Sequence, residues 1–284
     1  MTAPNTLQDR WWNGQNGRHR ADHHDRYDKM AAPINDHLFA AAGIRTGDQV
    51  LDVGCGTGET TRLAASMSRD GHATGIDLSA PMLERASITS AAAGITNVTF
   101  IRGDAQTHPF EPGGFDRVIS RAGVMFFDDP LTAFTNIAGA TRGRFVFYCH
   151  REPPAATRDL MAAVTAHLPA PDGAIPLGVA AFQDPAYIRT LLTSTGFAEV
   201  SIDPVDYRSD LGPDPVAGAD FLFDAQLRPF TAGADPAAIY RAREAAVGLL
   251  ASLADGGAVR LPAAGWIVTA VKGEERSSRT AGSR

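Results

Sequence analysis

The residues best placed to do chemistry lie in Val50-Leu-Asp-Val-Gly54-Cys-Gly56-Thr-Gly58-Glu59, where an apolar run enters a glycine-rich turn and then a helical pattern. Glycine permits positive φ and lets a ligand approach the backbone. The helix that follows offers unpaired N–H groups at its first turn. A dinucleotide fingerprint would read Gly-x-Gly-x-x-Gly. Here Glu59 stands where the third glycine would be, and its carboxylate would repel a pyrophosphate. A neutral or zwitterionic ligand suits this loop better. Two more acids follow at matching places: Asp77 ends the strand-like Gly75-Ile-Asp-Leu-Ser79, and Asp104 follows the third strand in Arg102-Gly-Asp-Ala105. Asp77 can accept both hydroxyls of a ribose, the role of an acid about twenty residues past such glycines. Asp104 can accept an adenine amino proton. With Asp52, these carboxylates follow successive strands and line the carboxyl edge of a sheet, where open α/β folds bind ligands.

A second group is the polar run from Arg18 to Pro33, which holds His19, His23, His24 and Tyr27. On a helix His19, His23 and Tyr27 form one stripe, continued by Met30 and Ala31, while His24 turns about 100° away. No Glu completes an H-E-x-x-H pattern and no third ligand is evident, so no metal site is expected. The bland alternative is a solvated helix with an Asp22–Arg26 pair. The favoured reading is a lid over a site built later in the chain, with His23, His24 and Tyr27 as its polar groups. His150, ending Phe145-Val-Phe-Tyr-Cys-His150, is the other candidate base. His108 and His167 read as surface residues. Met125, Phe126 and Phe127 are candidates for the floor of a substrate site, although core packing is their default.

The elements that position these groups follow from periodicity and punctuation. Residues 1–16 read as irregular. Gly17 to Ala42 reads as helix, interrupted at Pro33, where two short helices would meet. Strands then alternate with helices: a strand over Gln49–Val53, a second ending at Asp77, a helix capped by Ser79 and stopped at Gly94, a third strand, a fourth in Phe115–Arg121, and a fifth ending at His150. Alternation of this kind implies parallel βαβ units in a doubly wound sheet. Asp184 and Pro185 start a further helix, and a sixth strand covers about Ala198–Arg208. Residues 212–254 read as two or three helices bearing Phe221, Phe223, Leu227 and Phe230 at near-helical spacing. A last strand over Ala258–Lys272, with Pro262 near its start, pairs antiparallel with the sixth.

The 284 residues carry a formal charge of −6 and no long basic run, which argues against nucleic acid. No apolar run approaches a membrane span, and the first residues lack an export-signal pattern. Two cysteines, Cys55 and Cys149, make no disulfide framework. A cytoplasmic setting is expected.

From about Trp11 to Val271 the chain resembles a class I S-adenosylmethionine-dependent methyltransferase, near the ubiquinone-biosynthesis-type branch of small-molecule enzymes. Val50–Gly58 is similar to that family's first motif, Gly75–Ser79 to its second, Gly103–Ala105 to its third, and Phe115–Pro130 to the segment around its fourth strand. The resemblance implies an α/β, doubly wound, Rossmann-like seven-stranded sheet with an antiparallel last strand, an N-terminal helical lid, and a helical insertion before the last strand. It divides the chain into a lid over 1–43, a methyltransferase domain over 44–272 that includes a substrate cap at 212–254, and a disordered tail at 273–284. S-adenosylmethionine is the implied cofactor. Gly54 and Gly56 would pass beneath its methionine part, with Asp52 reaching the amino group through water. Asp77 would hold the ribose, Leu78 and Met82 flank adenine, and Asp104 and Ala105 meet the adenine edge. Arg121 would approach the methionine end through its backbone, and Tyr27 from the lid. His23, His24 and His150 are the candidate catalytic groups, and Met125, Phe126 and Phe223 the candidate substrate contacts. No Asn-Pro-Pro-Tyr-type tetrapeptide follows the fourth strand, which lowers amino groups of nucleobases and glutamine as substrates.

These features imply methylation of a small molecule at O, N or C, in specialised metabolism, by a monomer or homodimer. Alternatives are modification of a peptide during natural-product maturation, a nicotinamide-dependent oxidoreductase, and a binding protein that keeps the cofactor without catalysis.

Overall fold

The computed structural model describes residues 4–170 and 180–273. Three helices come first: α1 (Thr6–Asn13), α2 (Gln15–Asp22) and α3 (His24–Ala42). The expected irregular start is therefore helical, and the break falls at His23, not at Pro33. Pro33 lies inside α3. It removes one backbone donor, but Ile34, Leu38 and Phe39 just beyond it are buried against the sheet and hold the helix through that point.

The remaining elements are β1 (Gln49–Val53), α4 (Glu59–Met67), β2 (His72–Asp77), α5 (Ala80–Ala92), β3 (Val98–Arg102), β4 (Phe115–Arg121), α6 (Pro130–Ala140), β5 (Thr141–His150), α7 (Ala155–Thr165), α8 (Pro185–Ser194), β6 (Phe197–Gly212), α9 (Pro215–Ala225), α10 (Arg228–Thr231), α11 (Pro236–Ala251), the short β7 (Ala254–Asp255) and β8 (Ala258–Lys272). Four helices open with the dipeptide Asp-Pro. Asp129, Asp184, Asp214 and Asp235 each accept a hydrogen bond from a first-turn N–H, and the proline beside each occupies the first turn, where no donor is needed.

The sheet runs β3-β2-β1-β4-β5-β8-β6, with β7 paired to the start of β8. β1 to β5 are parallel, and β8 is antiparallel to both β5 and β6. One face packs on α6 and α8 around Phe134, Phe145, Phe147 and Phe182. The other packs on α3 around Leu38, Val146 and Tyr148. A third cluster joins α3, α7, α9 and α11 around Tyr27, Leu160, Phe221, Phe223 and Leu250. It seats the helical insertion on Leu211 of β6 and Val259 and Leu261 of β8. The expected tail lies, from residue 274 on, outside the described residues. Among the described residues no helix is long and apolar enough to cross a membrane.

Candidate active site

The turn after β1 carries three glycines with φ of +70°, +54° and +79° at Gly54, Gly56 and Gly58. At Gly54 the need is steric as well as conformational, since a Cβ there would lie 2.8 Å from Cα of Gly123. Gly123 follows β4 and directly succeeds Ala122, which itself has a φ of +63°. Two neighbouring parallel strands thus end in backbone so close that no side chain fits between them, and a main-chain cradle is left at the carboxyl edge.

Above this edge lies a cavity of about 540 Å³. Gly54, Gly56, Asp77, Leu78, Met82, Asp104, Ala105 and Arg121 all line it, as do Tyr27, Phe126 and His150. Asp77 accepts hydrogen bonds from the N–H groups of Gly56 and Ser79, 2.8 Å each, one per carboxylate oxygen. Burial pushes its pKa up, against the pull of those two donors. Each oxygen keeps a lone pair for a further donor, so the carboxylate still suits two hydroxyls. Asp104 is occupied differently: the side-chain amide of Asn5 donates to both its oxygens at 2.8 and 2.9 Å, and its neighbour Gln106 donates through the backbone. Asn5 also accepts from the N–H of Asp128, which ties the start of the chain to the expected adenine edge. Trp12, hydrogen-bonded to Gln8, meets Phe126 edge-on at 5.8 Å. Asn5, Gln8 and Trp12 all line the cavity.

Asp52 is placed differently from its expected reach toward the donor. It is fully buried beneath the loop, where one oxygen accepts from the hydroxyls of Thr60 and Thr61 at 2.6 and 2.7 Å and the other has no partner. Burial pushes its pKa up to about 6. It does not line the cavity. It ties β1 to the first turn of α4.

Arg121 lines the cavity, but its side chain is no solvated charge. It donates to Asn35 at 2.8 Å, pairs with Glu59, and lies 3.7 Å from Asp28, which in turn is 3.9 Å from Arg62. Burial, then the nearby Glu59, pushes Asp28 up to about 6 against the pull of these arginines.

The histidines of the N-terminal run are not on the cavity. The stripe forms: His19 and His23 stack at 4.2 Å, and His19 meets Tyr27 edge-on. It faces α9 through Tyr27 and Phe221. His23 bonds the carbonyl of His19 and His24 pairs with Asp25. Both are corrected as acceptor-facing groups, because the break at His23 aims this side of α2 and α3 at the insertion. Arg20 reaches the cavity beside Tyr27, and its guanidinium stacks 4.4 Å over the Tyr27 ring. Burial works against its charge, whereas Tyr27, Asp28 and Asp77 favour it. Arg26, expected to pair with Asp22, instead donates to the carbonyls of Leu211 and Ala217.

Two substrate candidates are corrected as well. Met125 is fully buried in the α6-side core, and Phe223 in the helical cluster, so neither lines the cavity. The insertion reaches the cavity through Ala225 and Gln226 at the end of α9. The far end of the cavity is built by Tyr148 and His150 of β5, Tyr207 and Ser209 of β6, and Leu261 to Ala264 of β8. His150 Nδ1 lies 2.9 Å from the Tyr148 hydroxyl, itself 2.7 Å from that of Tyr207.

A sheet of this order with an antiparallel strand between its fifth and sixth parallel-edge partners, and a glycine cradle at the β1 and β4 ends, defines a class I methyltransferase fold. Residues 50–143 match the sequence family described as Methyltransferase domain. The chain is similar to an uncharacterized protein of Mycobacterium tuberculosis, 39% identical over 99 residues that make up 35% of each chain. A demethylmenaquinone methyltransferase of Staphylococcus aureus is 40% identical over 92 residues, 32% of this chain and 37% of that one. The aligned parts thus span little more than a third of these relatives. Among solved structures, a phosphoethanolamine N-methyltransferase of Haemonchus contortus, in complex with phosphomonomethylethanolamine and S-adenosylhomocysteine, superposes over 95% of this chain and 60% of that one, with a TM-score of 0.59 at 20% identity.

Proposed function

We propose that this protein methylates a small-molecule acceptor, in specialised metabolism, with S-adenosylmethionine as donor. The observation that carries the reading is one continuous cavity that joins the glycine cradle and Asp77 at one end to His150 and Tyr207 at the other. When bound, the donor supplies an electrophilic methyl on a sulfonium sulfur, which keeps the bonding pair as the methyl leaves. The chain's own task is to bind, align, exclude water and handle a proton. Gly54 and Gly56 present backbone to the donor, Asp77 accepts its ribose hydroxyls, and Leu78 and Met82 flank its base. Arg20, with Tyr27 beneath it, is placed to balance a carboxylate. Helices α1 to α3 act as a lid: Asn5, Trp12, Arg20 and Tyr27 close the cavity from above, and closure of this kind excludes water from the reaction.

Glu59 stands where the third glycine of a dinucleotide fingerprint would be, and that missing glycine counts against a nicotinamide dinucleotide. Titration calorimetry with S-adenosylmethionine, S-adenosylhomocysteine and NAD tests the assignment. Binding of the first two is expected, and binding of NAD alone would sink it. A radiolabelled methyl-transfer screen against small-molecule and peptide fractions then separates the two acceptor classes, with label expected in the small-molecule fraction.

A further inference from the structure

The acceptor end of the cavity contains a chain of three polar groups contributed by two strands that do not touch. Tyr148 and His150 share one face of β5, and Tyr207 stands on β6, with β8 between them. The rings meet across β8 because that strand presents Ala263 opposite Tyr207 and Gly265 opposite His150. A Cβ on Gly265 would lie 2.2 Å from the Tyr148 ring. The contact is thus built into the sheet by a gap in its middle strand.

Either hydroxyl of the Tyr148–Tyr207 pair can donate, and the arrangement that leaves His150 a free base is the one in which Tyr207 accepts. Tyr148 then donates to Tyr207, and its oxygen is left to accept the Nδ1 proton of His150. That tautomer leaves Nε2 as a bare lone pair, and Nε2 has no protein partner among the described residues. His150 is exposed and lines the cavity.

Resting on the methyl-transfer reading above, we propose that His150, Tyr148 and Tyr207 form a proton relay, and that the acceptor is a neutral molecule whose nucleophilic oxygen carries a proton, a phenol or an enol. As the acceptor oxygen uses its electron pair to bond the incoming carbon, its proton passes to Nε2. The Nδ1 proton moves to Tyr148, that of Tyr148 to Tyr207, and that of Tyr207 to solvent, so the imidazole ends neutral. The charged groups facing this path are Arg20 from α2, Asp28 from α3, Arg121 from β4 and Arg151 from β5; Arg121 is paired with Asp28 and Glu59, and Arg151 with Asp206 of β6. Desolvation beside the cavity wall, then Arg20, pushes His150 down to about 4, which disfavours a lasting imidazolium and suits a route that sheds the proton in step. A bare lone pair also repels a carboxylate and welcomes an O–H.

The test is nitrogen-15 NMR of the full chain with S-adenosylhomocysteine, with His150 assigned by loss of its signals in His150→Gln. Nε2 should be unprotonated in the parent. In Tyr207→Phe the Tyr148 hydroxyl loses its acceptor and turns to Nδ1, so the tautomer should invert. Tyr148→Phe should remove the bias. Phenol should shift the parent Nε2 signal and benzoate should not. A protonated Nε2 in the parent, or a tautomer unmoved by both variants, overturns the relay. A response to benzoate as large as that to phenol, or to neither probe, overturns the acceptor class. Calorimetry of S-adenosylhomocysteine on the same samples reads the donor site separately: failure there strikes the methyl-transfer reading, whereas binding with the wrong tautomer strikes the relay alone.

Discussion

The two ends of the cavity are built by different means. The end proposed for the donor comes from three short contiguous stretches, Val53 to Thr57, Ile76 to Leu78 and Gly103 to Ala105, each at the carboxyl end of a parallel strand. It works largely through backbone: glycines with positive φ, N–H groups that hold Asp77, and a strand end pressed against Gly123. The acceptor end is assembled from side chains of β5, β6 and β8 and the end of α9. It depends on strand register and on small residues in the middle strand. Backbone construction tolerates little variation at the donor end, whereas the acceptor end can change its chemistry by single side chains on a retained sheet.

The largest expected effect marks the boundary of the acceptor end. Phe223 sits in the helical cluster with Leu160, Phe221 and Leu250, so Phe223→Ala should cost about 3–5 kcal/mol of stability. Its donor affinity should be unchanged once the protein is folded. Thermal unfolding and calorimetry read the two separately. A stable variant with altered acceptor use would instead return Phe223 to the substrate site.

At the donor end, Asp77→Ala should remove two charge-assisted hydrogen bonds to the ribose, each worth roughly 1.5–3 kcal/mol, and release the Gly56 and Ser79 N–H groups. S-adenosylhomocysteine affinity should fall by at least about tenfold while acceptor binding holds. Unchanged affinity would mean that the ribose lies elsewhere. Gly265→Ala makes the complementary cut. Its new Cβ meets the Tyr148 ring, so the ring must move, at an overpacking cost of about 1–3 kcal/mol. Turnover should drop with donor affinity retained. Equal loss of both would show that the two ends are coupled through β5.

The same contrast decides what the sequence can tell. Residues 50–59, Asp77 and Asp104 are legible because the motif is local: strand, turn and helix entrance are consecutive, and the order of strands follows from the βαβ alternation. Asp52 reads the same way as Asp77 by position, yet it turns inward, because Thr60 and Thr61 on the next helix supply its donors. The N-terminal run misleads for a different reason. A stripe of His19, His23 and Tyr27 specifies a helix face but not what that face meets, and here it meets α9. Arg20, one residue off the stripe, faces the cavity. Tyr148 and Tyr207 are silent in the sequence because nothing local relates a tyrosine in β5 to one in β6. The signal that could find them is Ala263-Ala-Gly265 in an otherwise bulky strand, a gap that asks what fills it. Asn5 gives no signal, since its partners Asp104 and Asp128 are set by the fold.

The smallest effect lies where the two ends join, at Asp28 of α3. Its folded pKa, pushed up to about 6 from an ordinary 3.8 by burial and by Glu59, means that the folded state holds a proton which the unfolded chain has released. Stability from this group is therefore fully present below about pH 4 and is lost as pH rises through about 6. About two pH units set a ceiling near 3 kcal/mol; the pull of Arg121 and Arg62 toward the charged form is already contained in the folded value, and solvent screening of this part-exposed carboxylate lowers the figure. Asp28→Asn should flatten the fall in melting temperature between about pH 4.5 and 7 by the equivalent of about 1 kcal/mol. Part of the slope should persist, because Asp52 is pushed to about 6 as well and lies under the donor loop. Scanning calorimetry across that window reads both shares. A slope that vanishes with Asp28 alone would place the whole pH response in the lid, whereas an unchanged slope would assign it to the buried carboxylate beneath the glycines.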